Sequence, residues 1–417
     1  MLSPFWKRFL PVILILGALL RLIWIEDLEY KYDERYIFGK TQTVGVSEHF
    51  PLIGMASGVG TVNPGLGLWI FIGLGKVFHI KTPAELTRAV QIINVIALFL
   101  LAFFILKFII PPEKEMWLWG LALTAINPFA VLFSKKIWQQ ELLPFFCVLF
   151  LMSFWKKHTK TGAFFCGLLG IVLGQIHMSG FFLFASVCVW ILLSRKSIKF
   201  FYWFMGTLVG IVPMLPWIYH IFAYPEIQKA FNHSWELTKF TDTSYWMRWV
   251  TGALGVNLKY SLGNHFVDFL TYPIIFSQKT YFFKLIYFLL VISGVCIICK
   301  IIYNLYKNKR SVLYFFYGKE NNTVMLQNAY FFGSGAIMAI CGFTIYMHYF
   351  IVTFPMQWVF LARQVLINFK KSKHLLWIIW VSQLIFTIGF LGYIHIKGGA
   401  PEGDYGIVYR LLPQDKK

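Results

Sequence analysis

Charge is what this chain has least of. Asp, Glu, Lys and Arg make up 13% of its 417 residues, about half of the roughly 25% that a soluble globular domain uses to cover its surface. Acid is the scarcer sign, with 18 residues against 38 basic ones. Cysteine is scarce as well. All six lie in or at the ends of apolar blocks, which excludes a disulfide framework and leaves Cys296-x-x-Cys299, inside VISGVCIICK, as apolar packing. The short alternating segments of a membrane β-barrel are missing. So is any basic stripe: the net charge of +20 is dispersed in short clusters between apolar blocks, so nucleic acid is excluded as a partner.

Hydrophobicity in long blocks takes the place of charge. Hydrophobic residues are 58% of the chain and aromatics 19%, and the mean hydropathy is +0.64. Blocks of membrane-spanning length predict an all-α polytopic membrane protein. The basic clusters Lys7-Arg8, Lys156-Lys157-Lys160, Arg195-Lys196-Lys199, Lys307-Lys309-Arg310 and Lys370-Lys371-Lys373 are assigned to the cytoplasm by the positive-inside rule. An even number of spans must then separate consecutive clusters. Between Lys7 and Lys156 lie five apolar blocks, at about 9–25, 65–80, 89–110, 116–134 and 141–155. The block at 65–80, GLGLWIFIGLGKVFHI, is short, glycine-rich and carries Lys76, so it is expected to lie at the outer interface without crossing.

About eleven spans result, with the first retained, the last at about 375–394, the N-terminus inside and the C-terminus outside. One transmembrane domain covers 1–395, with outer loops at 26–88 and 217–280, and 396–417 forms a short outer tail.

This topology gathers the unusual polar groups on one side. EYKYDERYIF (29–38) places Asp33 and Glu34 together among tyrosines at the edge of the first span, where aromatics suit an interfacial pocket. A second isolated acid, Glu141, follows in SKKIWQQEL. Arg88, Lys135 and Lys136 stand between them in the chain as candidate phosphate-binding cations. His177, His348 and the tail DYGIVYR (404–410) fall on the same face. Carboxylates beside such cations suit the activation of a hydroxyl toward a lipid-linked phosphate leaving group.

In order, spacing and sidedness these residues resemble the GT-C glycosyltransferases, in the branch of the dolichyl-phosphate-mannose protein mannosyltransferases and aminoarabinose transferases. The likeness lies in the Asp33-Glu34 pair after the first span and in VNPGLGLWIF (62–71), with one proline where relatives commonly have two. It continues in Arg88 of LTRAVQIINV, in Glu141 where relatives more often carry Asp, and in HYFIVTFPMQWVFLA (348–362). The resemblance implies an inverting transferase of the extracytoplasmic face of a bacterial inner membrane. It would move a sugar from a polyprenyl-phosphate donor lipid to a hydroxyl acceptor on a lipid, glycan or protein.

Carried over, Asp33 is the base and Glu34 holds the acceptor or tunes Asp33. Glu141 shapes the acceptor site, and Lys135, Lys136 and Arg88 bind the lipid phosphate. His177, His348 and Tyr349 are candidate donor contacts. No cofactor and no catalytic metal are implied; His49 beside Glu48 leaves a structural ion open. A transporter or lipid flippase is the rival from another class. It calls for midplane charges and internal repeats, which the sequence does not offer.

Overall fold

The structure is a computed structural model that describes residues 2–56, 62–194, 197–224, 242–307, 321–342, 345–369 and 373–413. Arg195, Lys196, Lys309, Arg310, Lys370 and Lys371 of the basic clusters, and part of the 217–280 loop, lie outside the described residues.

The molecule is a helical bundle. Its first half runs α1 (Pro4–Leu22), α2 (Tyr32–Thr43), a hairpin of β1 (Ile53–Ala56) and β2 (Val62–Pro64), α3 (Leu66–Val77), α4 (Pro83–Phe108), α5 (Pro111–Ile126), α6 (Pro128–Phe133), α7 (Leu143–Trp155), α8 (Lys160–Ile176) and α9 (Ser179–Leu193). The second half runs α10 (Phe200–Ile211), α11 (Leu215–Ala223), α12 (Ser244–Leu254), α13 (Lys259–Leu262), α14 (His265–Phe269), the hairpin β3 (Ile274–Ile275) and β4 (Gln278–Lys279), and α15 (Phe282–Lys307). It ends with α16 (Asn322–Asn328), α17 (Ser334–Ile340), α18 (Met356–Asn368), α19 (His374–Lys397), and a hairpin of β5 (Gly399–Ala400) and β6 (Gly406–Ile407).

Among the described residues four helices are long and apolar enough to cross a membrane: Pro83–Phe108, Phe200–Ala223, Phe282–Asn304 and His374–Lys397. A fifth crossing is present if Met347–Thr353 and Met356–Asn368, bent by 78° where they meet, count as one. The remaining apolar blocks fold as shorter helices. At 1.5 Å per residue, α3 is about 18 Å long against a hydrocarbon thickness of about 30 Å. The block expected at 116–134 is two helices, α5 and α6. The span expected at 89–110 starts six residues earlier, because Pro83 occupies the first turn and Thr82 and Glu85 form a capping box there. The 217–280 segment is not the plain loop expected. Its helix α12 buries Tyr245 and Trp249 in the bundle and packs on α18.

α5 is the central helix: every residue from Trp117 to Ile126 is buried. Its end is decided by Pro128, which has no N–H to donate to Thr124 O and so opens the helix ladder. The orphaned carbonyls are met from outside. Arg21 of α1, fully buried, donates to Ala125 O at 2.7 Å, Thr124 O at 3.2 Å and Ala130 O at 3.4 Å, and Thr387 Oγ1 donates to Ile126 O at 2.6 Å. Asn127 restarts the chain as α6 by accepting the N–H groups of Phe129 and Ala130. The break carries the chain out of the bundle at Ser134 and into the turn that holds Lys135, Lys136 and Glu141.

α8 and α10 meet through glycine. A Cβ on Gly206 would lie 1.9 Å from Phe164 O, a backbone atom with no freedom to retreat, and such small-residue contacts let apolar helices approach closely. Gly206→Ala should therefore destabilise the protein by about 1–3 kcal/mol, the usual cost of overpacking, read as a lower unfolding temperature in detergent. An unchanged temperature would mean that α8 and α10 separate at no cost.

Candidate active site

A cavity of about 270 Å³ opens at the end of the bundle where α1 finishes. Six segments build its wall. α2 supplies Asp33, the β1–β2 hairpin Met55 and Asn63, and the turn after α6 supplies Trp138 and Gln140. The α8–α9 junction supplies His177, α13 supplies Tyr260, and the segment before α18 supplies Tyr346, His348 and Tyr349. The hairpin is fixed from within and from outside: Asn63 Nδ2 donates to Met55 O at 3.1 Å, and Trp217 Nε1 of α11 donates to Val62 O at 2.7 Å.

The cavity is mostly aromatic. His348 stands edge-on to Trp138 and His177, with centroids 5.7 and 5.6 Å apart, and lies flat on Tyr346. His177 Nδ1 accepts the backbone N–H of Ser179 and pairs with its hydroxyl at 2.7 Å, which places the ring proton on Nε2. Burial pulls its pKa down to about 4, so the ring is neutral at pH 7. Asp33 is the one carboxylate on the wall among the described residues. It is half-buried, and that burial raises its pKa, opposed by Lys31 and Lys136 and assisted by Asp404.

Of the residues singled out in the sequence, Asp33, His177, His348 and Tyr349 share this cavity; the others do other work. Arg88 Nη1 donates to Leu22 O at 2.8 Å and Lys135 Nζ to Ile23 O at 2.6 Å. These two cations therefore cap the carbonyl end of α1, where the helix dipole favours them, and neither lines the cavity. Lys135 is held within the protein, and burial lowers its pKa to about 8.

Glu34 faces inward. It accepts the Lys31 N–H at 2.9 Å and so caps its own helix, while burial and then the charge of Glu29 raise its pKa to about 8. Glu141 is buried beside a second, smaller void of about 30 Å³ with Arg21, Asn94 and Gln357. Its own carbonyl accepts from Asn94 at 2.9 Å, and it does not line the Asp33 cavity.

Lys136 is fully buried between Glu29, with which it forms a close ion pair, and Asp404 at 3.6 Å. Its ammonium lies 4.2 Å from the ring centroid of Trp138, a residue that lines the cavity. Burial works against its charge, but Glu29, Asp404 and Glu34 together carry its pKa above the usual lysine value. Glu29 also pairs closely with Lys31, and Lys31 with Asp404.

Glu29 and Lys31 are therefore site residues that the sequence reading did not name, and Asp404 comes from the tail it placed on the same face. Asp27 was missed as well: it accepts from Arg410 Nε at 2.7 Å and pairs with His395 Nδ1 at 2.6 Å. Glu29 alternates with two hydrophobic neighbours in LEYKY, and its inward orientation has no signature in sequence. Among the described residues no three His, Cys, Asp or Glu side chains are grouped to hold a metal ion.

No family model, curated protein or solved structure matches this chain. The reading of the site therefore stands on its residues.

A buried charge left alone is expensive, which makes the Lys136–Glu29 pair testable. Lys136→Met should lower stability by about 3–5 kcal/mol, whereas Lys136→Met/Glu29→Met should recover most of that loss. Thermal unfolding of both in detergent decides the matter, and additive losses would show that the two side chains do not act as a pair.

Proposed function

We propose that the chain is an inverting glycosyltransferase that uses a polyprenyl-phosphate sugar as donor and a hydroxyl compound as acceptor, with Asp33 as the base. The observation that carries the reading is a half-buried carboxylate, the only one on the wall among the described residues, set in an aromatic cavity of an apolar helical bundle. Burial supports the chemistry, because a carboxyl pKa raised toward neutrality makes a better general base than a fully solvated one. In the reaction, Asp33 accepts the proton of the acceptor hydroxyl as its oxygen bonds to the anomeric carbon. The bond from that carbon to the phosphate oxygen breaks, and polyprenyl phosphate leaves with the electron pair from the opposite side.

His177 and His348, with Tyr349, are the groups placed to meet the donor on the wall facing Asp33. Lys136 acts from beneath the cavity through the field it shares with Glu29 and through Trp138. Arg88, Lys135 and Glu34 hold the framework. The same reading adopts the GT-C likeness. It takes the shorter helices as further crossings, about eleven in all, and sets the cavity at the outer face of a bacterial inner membrane.

Asp33→Asn keeps the shape of the side chain and removes its basicity. Transfer from a polyprenyl-phosphate sugar should fall by roughly 10² to 10⁴, with expression and unfolding temperature unchanged. Activity within about threefold of wild type would remove Asp33 as the base. Movement of the lipid across vesicles without a covalent product would favour a flippase.

A further inference from the structure

The segment after α19 is built into the candidate site from end to end. β5 and β6 pair at Gly399↔Ile407 and Ala400↔Gly406, and Gly399, at φ +113 with Gly406 O where a Cβ would stand, is a position for glycine alone. Val408 forms an antiparallel bridge with Glu29, Tyr409 N donates to Leu28 O at 3.0 Å, and the Tyr409 ring stands edge-on to Tyr30.

At one end Arg410 and His395 hold the buried Asp27 carboxylate, and the His395 ring lies flat on Trp24, 4.3 Å away. At the other end Tyr405 N donates to Ser261 O at 2.9 Å, next to Tyr260 on the cavity wall. Asp404, next to the Tyr405 anchor, meets the two lysines. Its carboxylate lies 3.4 Å from Lys31 Nζ and 3.6 Å from Lys136 Nζ, and its carbonyl also accepts from Lys31.

We propose that residues 398–412 are a strap that completes the candidate active site, and that Asp404 is a positioning residue, which holds Lys31 and Lys136 in place and sets the proton affinity of Asp33. The inference rests on the reading of Asp33 as the base. The charged and titratable groups around Asp33 come from every neighbouring element. Lys31 and Glu34 lie on its own helix end, Glu29 just before it, Lys136 in the turn after α6, and Asp404 on the strap. His177, Tyr260, Tyr346, His348 and Tyr349 complete the cavity wall.

Glu29 and Asp404 balance the two lysines, so the cluster beneath Asp33 is close to neutral. The strap supplies one of the four charges. Removing Asp404 removes a negative charge and leaves the two lysines with Glu29 as their only paired acid among these groups, and both changes stabilise ionised Asp33. Removing the Lys31 ammonium does the reverse.

The test reads Asp33 directly. Dicyclohexylcarbodiimide adds to protonated carboxyl groups, so its labelling of Asp33 in the full-length protein in detergent, followed by peptide mass spectrometry across pH, gives the titration midpoint without an activity assay. Asp404→Asn should lower the midpoint by roughly half a unit or more, and Lys31→Met should raise it by a similar amount. Asp404→Glu, which keeps the charge, should stay near wild type. If Asp404→Asn does not assemble, Lys31→Met decides alone, since its side chain is more than one-third exposed. A midpoint unmoved in a folded variant overturns the proposal.

The acid limb of kcat/KM for transfer should move with the labelling midpoint. A midpoint that shifts while the limb stays fixed would uphold the strap and count against Asp33 as the base, so the two ideas fail separately.

Discussion

Pro128 has no N–H, and much of the candidate site follows from that absence. The break it makes at the end of α5 frees carbonyls in the middle of an apolar bundle, where each unsatisfied polar group is costly. Arg21 reaches across from α1 to take two of them, Thr124 O and Ala125 O, and also meets Ala130 O of α6. In doing so it pins the end of α1 against the α5–α6 junction, and the two chain segments that leave that point, 23–31 and 134–141, run side by side. Lys135 and Arg88 then close the end of α1 in the same manner. The pairing of Glu29 with Lys136 is a result of this alignment, because one residue lies on each segment. A helix-ending proline thus sets the register between the acid and the base that floor the cavity.

The arrangement separates two tasks that a list of charged residues runs together. Arg88, Lys135 and Lys136 serve backbone carbonyls or a buried acid, and among the described residues the wall that a ligand would meet is nearly uncharged. It offers rings, amides, hydroxyls, a neutral imidazole at His177 and one carboxylate. Such a surface suits a substrate that is mostly sugar, whose hydroxyls need hydrogen-bond partners and whose flat faces sit on aromatic rings. It also keeps Asp33 in a medium less polar than water, where the field of the buried cluster beneath it is less screened.

The sequence carried the class of the fold and the address of the cavity. Long apolar blocks and sparse charge predicted a helical membrane protein, and the Asp33 stretch, His177 and the segment around His348 converge on one cavity although up to 316 positions separate them in the chain. What composition could not carry was the direction in which each polar side chain points. Asp33 and Glu34 are neighbours, yet 100° of helical rotation puts one on the cavity and the other in the core. Lys135 and Lys136 look like a pair, and they turn to different partners on different segments. Helix lengths are less legible than block lengths for a related reason. A hydrophobic block states how much apolar surface there is to bury, and the break between α5 and α6 is visible only once Pro128 is given weight against the fourteen apolar residues around it.

The order of synthesis adds a consequence. The segment that holds Asp27 and supplies Asp404 follows α19, so it is translated after every helix that it closes over. Until it docks, Asp27 has His395 of α19 but lacks Arg410, and Lys136 has only Glu29. Nascent chains therefore pass through a stage in which all the long helices are made but the cavity floor is electrostatically unbalanced. A chain cut short after α19 would keep the long helices but lack Arg410 beside Asp27 and Asp404 beside Lys31 and Lys136.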